Sequence, residues 1–296
     1  MDQWRERLEG QTALDVARLD EALGLALLDR TYVDALIDPR GHLFQRLEYV
    51  GDALLDAVLV MRLVRAQPWD EPSLAFVNGE QQALVSDHAL GRVAARRGLP
   101  DVRTFLASRH RLADRIEASI GAAWADLGID AAEQVAHRLV VAPGTARLPD
   151  HDGIPATGGD ARYEDAARLC GHDPHALGWY AAAAAGGPER RRLALVGNAV
   201  LEAACATAQY VDDPLATEAQ MSEERRVATS NAVLAERAHG LGLVRQGDAD
   251  DRRAVADEVQ ALVGAVAMDG GIRAGLDVGA AVLGRTFAPG PVDLLR

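Results

Sequence analysis

The chain repeats itself. "LEYVGDALLDAVLV" at 47–60 returns as "LALVGNAVLEAACA" at 193–206, and "LVSDHALGRVAARRGL" at 84–99 returns as "ATSNAVLAERAHGLGL" at 228–243. "DRIEASIGAAWADLGI" at 114–129 returns as "DEVQALVGAVAMDGGI" at 257–272. The three blocks keep their order and lie 146, 144 and 143 residues apart. Chance supplies one such echo, not three in register. So long a period excludes a solenoid and dictates two copies of one domain, for which 296 residues suffice. Between the copies, "APGTARLPDHDGIPATGGDAR" at 142–162 is rich in Pro, Gly and Asp and lacks helical periodicity, which marks a linker. The expected domains are therefore 13–141 and 163–286, followed by a short tail.

Both copies are patterned as helices almost throughout. Apolar residues make up 49% of the chain while aromatics are only 4%, and Ala and Leu outweigh the β-branched and aromatic residues that favour strands. The expectation is an all-α protein. Gly98, Gly128, Gly242 and Gly271 fall at expected helix ends. Gly51 and Gly197 instead fall in mid-helix, where glycine costs about 1 kcal/mol against alanine. A glycine matched in both copies at such a place predicts the close approach of another backbone.

The net charge is −13 and the chain contains no lysine. That balance opposes a protein whose affinity rests on neutralising phosphates, and the exclusive use of arginine reads as coding bias in a GC-rich genome. "MDQWRERLEG" has no apolar core of a signal peptide, and Asp56 and Arg62 interrupt the strongest apolar run. A soluble cytoplasmic protein without membrane contact is expected. The two cysteines, Cys170 and Cys205, form no disulfide framework or zinc spacing and read as buried reduced thiols.

Four carboxylates of the first copy stand out. Glu48 and Asp52 are spaced i,i+4 on one helix, and Asp114 and Glu117 are spaced i,i+3 on another. Each pair alone also fits a solvated helix face, with Arg111 and Arg115 as ordinary surface partners of the second. Spacing does not decide between that reading and a metal site, in which clustered hard oxygen ligands would hold Mg²⁺ or Mn²⁺.

"FQRLEYVGDALLD" at 44–56 resembles the signature of the ribonuclease III family, and "DRIEASIGAAWADLGIDAAEQV" resembles the family's second motif, in the right order and covering essentially the whole first copy. The resemblance implies an all-α endonuclease domain in which Glu48, Asp52, Asp114 and Glu117 ligate Mg²⁺ (or Mn²⁺) and hydrolyse phosphodiesters of structured or double-stranded RNA. Gln45 departs from the pattern, standing where the family usually has a glutamate three residues before Glu48. The segment before the signature is shorter than usual and lacks a Thr-His-x-Ser pattern, and no double-stranded-RNA-binding domain is expected after the second copy.

In the second copy Glu48 is matched by Ala194, Asp52 by Asn198, Asp114 by Asp257 and Glu117 by Gln260. One aspartate beside amides is a poor Mg²⁺ site, so this copy is expected to be inert. Members of the family work as homodimers, so the tandem chain is expected to be a monomer that forms an intramolecular pseudo-dimer with one live centre. Tyr49 and Leu195 stand where the family packs a residue against the partner, and both equally fit a plain core. Arg92, Arg96, Arg97, Arg103, Arg109, Arg111 and Arg115, and the run Arg190–Arg192, are either phosphate contacts or a solvated basic face. His88 and His110 read as surface residues and Trp124 as core. Two other functions stay open: a non-catalytic RNA- or ribonucleoprotein-binding module, and a fold recruited to another metal-dependent reaction in bacterial secondary metabolism.

Overall fold

A computed structural model describes residues 14–37, 41–67, 74–99, 109–146, 158–244 and 251–287. Among them every regular element is helical and no strand occurs. In chain order these are α1 (14–23), α2 (Arg30–Ile37), α3 (His42–Arg65), α4 (Leu74–Val85), α5 (Asp87–Arg97), α6 (Arg109–Leu127) and α7 (Ile129–Ala136). A π-turn at His137–Val141 leads into α8 (Ala142–Thr145). Then follow α9 (Ala161–Leu169), α10 (Gly178–Ala185), α11 (Gly187–Asp212), α12 (Glu218–Ala228), α13 (Asn231–Gly240) and α14 (Arg252–Val282). The all-α class expected from composition is the observed one. The expected linker is narrower than its composition suggested: helix continues to Thr145, and α9 already begins at Ala161 because Asp160 caps it by accepting from the Arg162 N–H. Residues 147–157 of that segment, and the tail from 288, lie outside the described residues.

The chain divides into two compact units. One comprises residues 1–55, 82–144 and 290–296, the other residues 56–81 and 145–289. In the first, Leu47, Val50 and Leu54 of α3 and Ile116, Ile120 and Trp124 of α6 are buried together with Leu90 of α5 and Leu139. Each such side chain contributes roughly 1.5–3 kcal/mol by leaving water, and Trp124 is core as expected. The second unit buries the matching faces of α11 (Leu193, Val196, Val200) and α14 (Val259, Leu262, Val266).

The repeat extends to single atoms. Gly128 ends α6 at φ 91°, and Gly271 breaks α14 at φ 82°. The second motif turns at this point, and only glycine takes that φ without strain. Two residues before each glycine stands an aspartate. Asp126 accepts hydrogen bonds from the backbone N–H groups of Leu28 and Asp29. Asp269 accepts from those of His175 (3.0 Å) and Ala176 (2.7 Å). Each aspartate thus satisfies otherwise unpaired donors just ahead of the next helix, α2 or α10. The second copy adds Tyr180 Oη and His172 Nε2, both 2.9 Å from Asp269.

Within the second unit, the end of α3 is joined to the second copy by arginines. Arg192, fully buried, donates to the carbonyls of Val64 (3.3 Å) and Gln67 (3.2 Å) at the C-terminal end of α3, where Val64 also accepts from the Gln67 N–H. Arg65 donates to the Met268 carbonyl at 3.0 Å.

The cysteines divide. Cys205 is buried in α11 and burial pushes its thiol up to about 11, whereas Cys170 is only half-buried where α9 ends; both are free thiols. Among the described residues no helix is long and apolar enough to cross a membrane.

Candidate metal centre

Two glycines set where the acids meet. A Cβ built on Gly51 of α3 would overlap the Glu117 carbonyl of α6 and stand 2.8 Å from the Gly121 nitrogen; one built on Gly121 would overlap the Leu47 carbonyl. The two helices therefore cross with backbones in contact, as the mid-helix Gly51 predicted. Side chains one residue or one turn from the crossing are forced into the same space. Glu48 lies three residues before Gly51, and Asp114 and Glu117 lie about two turns and one turn before Gly121.

The consequence is a carboxylate cluster. Glu48, Asp114 and Glu117, all half-buried, each present an oxygen, and these lie within 4.8 Å of one another. Asp52 is not part of that group. It follows Glu48 by one turn of α3, about 6 Å along the axis, and is half-buried as well. The structure thus brings together three of the four acids singled out in the sequence and leaves the fourth beside them. An octahedral Mg²⁺ with oxygens at about 2.1 Å spans about 4.2 Å between opposite ligands. The three carboxylates, drawn from two helices and made only of hard oxygens, fit such an ion with small side-chain rotations.

Among the described residues the arginines have different surroundings. Arg92, Arg96 and Arg97 are exposed, with Arg97 donating to the Arg138 carbonyl at 2.9 Å. Arg115 is buried, 5% exposed, and so is not the helix-surface residue its spacing suggested. Arg103 and the side chains of Arg109, Arg111 and His110 lie outside the described residues, and His88 is exposed. Arg190 is held by Glu258 and by the carbonyls of Ala183 (2.9 Å) and Ala184 (3.1 Å). Glu258 also accepts from the buried Tyr163 hydroxyl, so this part of the run is structural. Tyr49 is buried and Leu195 half-buried.

The same glycine crossing recurs in the second copy: a Cβ on Gly197 would overlap the Gln260 carbonyl, and one on Gly264 the Leu193 carbonyl. The backbone frame is preserved while its side chains differ. Ala194 offers no ligand, and Gln260 Nε2 donates to Asn198 Oδ1 at 3.1 Å. The remaining acid, Asp257, is raised above the usual carboxylate range by burial, with Arg253 and Arg190 opposing. Sequence comparison of the copies identified the lost acids. It passed over the partner glycines Gly121 and Gly264 and the anchors Asp126 and Asp269, although all four recur at the block spacing.

The fold and site together define an all-α protein of two like copies with a carboxylate cluster in the first. No protein-family profile matches the chain. It is 36% identical over 108 residues to Ribonuclease 3 of Streptomyces coelicolor, a match taking in 32% of this chain and 37% of that protein. Two solved structures of Giardia Dicer share its fold. One has a TM-score of 0.59 at 16% identity, covering 83% of this chain and 55% of the Dicer chain. The other has a TM-score of 0.56 at 15% identity, covering 84% and 55%. The chain thus spans little more than a third of the curated relative and about half of each Dicer. The matched third is similar in sequence to a ribonuclease III, and the fold is one that the two Dicer structures share.

Proposed function

We propose that the chain is a divalent-metal-dependent endoribonuclease that cleaves structured or double-stranded RNA from one centre, in its first copy. The observation that carries this reading is the convergence of Glu48, Asp114 and Glu117 from two helices, at positions where the second copy has Ala194, Asp257 and Gln260. These three residues would hold Mg²⁺ or Mn²⁺, which when bound polarises a phosphodiester and stabilises charge on the leaving oxygen. Asp52, outside their reach, orients water at the rim of the site by accepting its hydrogen bonds. The second copy, with one acid at the matched positions, is inert and serves as the internal partner of the first. The arginine contacts from Arg192 and Arg65 that join the end of α3 to the second copy support a pseudo-dimer within one cytoplasmic polypeptide. Domain limits near 13–141 and 163–286 fit the repeat.

The net charge of −13 favours a second reading, a module that binds RNA or ribonucleoprotein without cutting. Incubation of labelled hairpin RNA with the protein, with Mg²⁺ and with EDTA, separates the two. Metal-dependent fragments that disappear in Glu117→Gln establish the nuclease; binding without fragments establishes the module.

A further inference from the structure

The matched positions of the second copy do not simply lack a site. They line a cavity of about 390 Å³, whose wall includes Arg191, Asn198, Asn231, Arg253, Asp257 and Gln260. Leu74 and Asn78 of α4 complete it, so a helix of the first copy closes a pocket of the second. The three consecutive arginines of α11 have separate fates here. Arg190 is held by Glu258 and Arg192 by the carbonyls ending α3, while Arg191 is exposed to the cavity. Arg253 lines the same cavity and is also exposed. Among the described residues, neither Arg191 nor Arg253 has a side-chain hydrogen bond or ion pair.

The charge of this place is the reverse of its counterpart. By repeat spacing Arg191 matches Gln45 and Arg253 matches His110. Four acids have become one, and two guanidiniums have been added. Two arginines repel a metal ion, and amides replace it poorly as ligands. A guanidinium fork, in contrast, matches two oxygens of a phosphate. Asn78 and Asn231 on the rim add neutral amide donors, and Ala194 leaves room where a carboxylate would repel an anion. On a chain of net charge −13, affinity for a polyanion depends on such local concentrations of positive charge, here two guanidiniums set against the single carboxylate of Asp257, which feels both of them.

We propose that this pocket is a phosphate seat: Arg191 and Arg253 grip a backbone phosphate of duplex RNA, without metal and without cutting it. The inference rests on RNA being the substrate and adds that the inert copy holds it. The hydrogen-bonded Asn198–Gln260 amide pair lines the pocket at positions where the first copy has carboxylates.

The test measures anisotropy of a fluorescent RNA duplex in EDTA over a range of salt, so that neither cleavage nor metal contributes. The wild-type protein should bind. Arg191→Gln with Arg253→Gln should weaken binding by about 10-fold or more near 0.1 M salt and reduce the salt slope by roughly 1–2. Ala194→Glu, which restores a carboxylate without touching either arginine, should also weaken it. Arg191→Lys with Arg253→Lys should recover part of the affinity, since charge returns without the fork. Wild-type affinity and slope in the folded Gln double variant would overturn the proposal, as would absence of wild-type binding in EDTA. Cleavage in Mg²⁺ by the same preparations reports separately on the first copy. RNA cut normally but held without these arginines removes the seat and keeps the nuclease. RNA held through them but never cut keeps the seat and removes the nuclease.

Discussion

Gln260 Nε2 donates a hydrogen bond to Asn198 Oδ1 at 3.1 Å, where the first copy has Glu117 and Asp52. Asn198 in turn donates to Glu202 at 3.0 Å. Carboxylates at these positions would repel each other unless a cation lay between them; amides hold each other directly. The second copy therefore holds a satisfied polar pair at these positions instead of a buried defect. Ala194→Glu, Asn198→Asp and Gln260→Glu together with the native Asp257 rebuild four acids on the same glycine-crossed frame. The triple variant should be less stable than wild type in EDTA, by about 1–3 kcal/mol for lost hydrogen bonding and added repulsion, and should regain stability as Mn²⁺ is added. A urea titration with and without Mn²⁺ reads both. A variant insensitive to Mn²⁺ would show that the second frame cannot hold an ion even with its acids restored.

Glu117→Gln should abolish cleavage while leaving the fold intact. Loss of a direct ligand should exceed the ~10–100-fold penalty typical of outer-shell partners. Asp52→Asn, at a position beside the cluster, should cost less than Glu117→Gln and should weaken Mn²⁺ binding less. Calorimetric Mn²⁺ titrations of the two variants give the ranking; the opposite order would make Asp52 a direct ligand.

Gly51→Ala should be destabilising by more than the ~1–3 kcal/mol of ordinary overpacking, because the obstacle is the Glu117 carbonyl and not a side chain that can rotate. It should also lower cleavage, since the crossing that gathers the acids must open. Gly197→Ala meets the Gln260 carbonyl and should lose comparable stability. Thermal melts and hairpin cleavage check both; a neutral Gly51→Ala would mean the helices are not held at this distance.

Asp269 gives the fold a pH dependence. Burial raises its carboxyl, but hydrogen bonds from the backbone of His175, the His172 ring, the backbone of Ala176 and the Tyr180 hydroxyl outweigh this and hold it below the usual range. A depressed carboxylate stabilises the fold above the unfolded-state value, about 3.9, and the contribution disappears as pH falls through the lower folded value. Asp269→Asn should cost about 1–3 kcal/mol near pH 7, and its deficit against wild type should shrink below pH 4. Equilibrium unfolding at several pH values follows it. A deficit that is constant with pH would assign the effect to packing alone.

A self-contained pseudo-dimer should be a monomer. Light scattering at micromolar concentration should return a mass near 31.5 kDa. A mass near double that value would bring two first-copy centres into one assembly, and a duplex labelled on each strand in turn would then be cut on both strands, where a one-centre monomer should nick one.

The repeat and the helical class were legible in the residues, whereas the spacing of Glu48, Asp52, Asp114 and Glu117 fitted a solvated face as well as a metal site, and only the resemblance to the ribonuclease III motifs singled them out. Periodicity, glycine placement and the pairing of acids by copy are local properties, and local chemistry determines them. Gly51 even announced the close crossing, because a mid-helix glycine matched in both copies has few other uses. The sequence could not say that Gly121 is the other half of that crossing. Nor could it say that Arg115 is buried, or that Arg190, Arg191 and Arg192 go three separate ways. Consecutive helical residues point about 100° apart, so which one meets Glu258, which meets the end of α3 and which meets an open cavity depends on neighbours far away in the chain. Asp52 shows the same limit. The i,i+4 spacing puts it on the face of Glu48, but whether its oxygen joins the cluster depends on where α6 crosses, and that is decided only when the backbones at Gly51 and Gly121 touch.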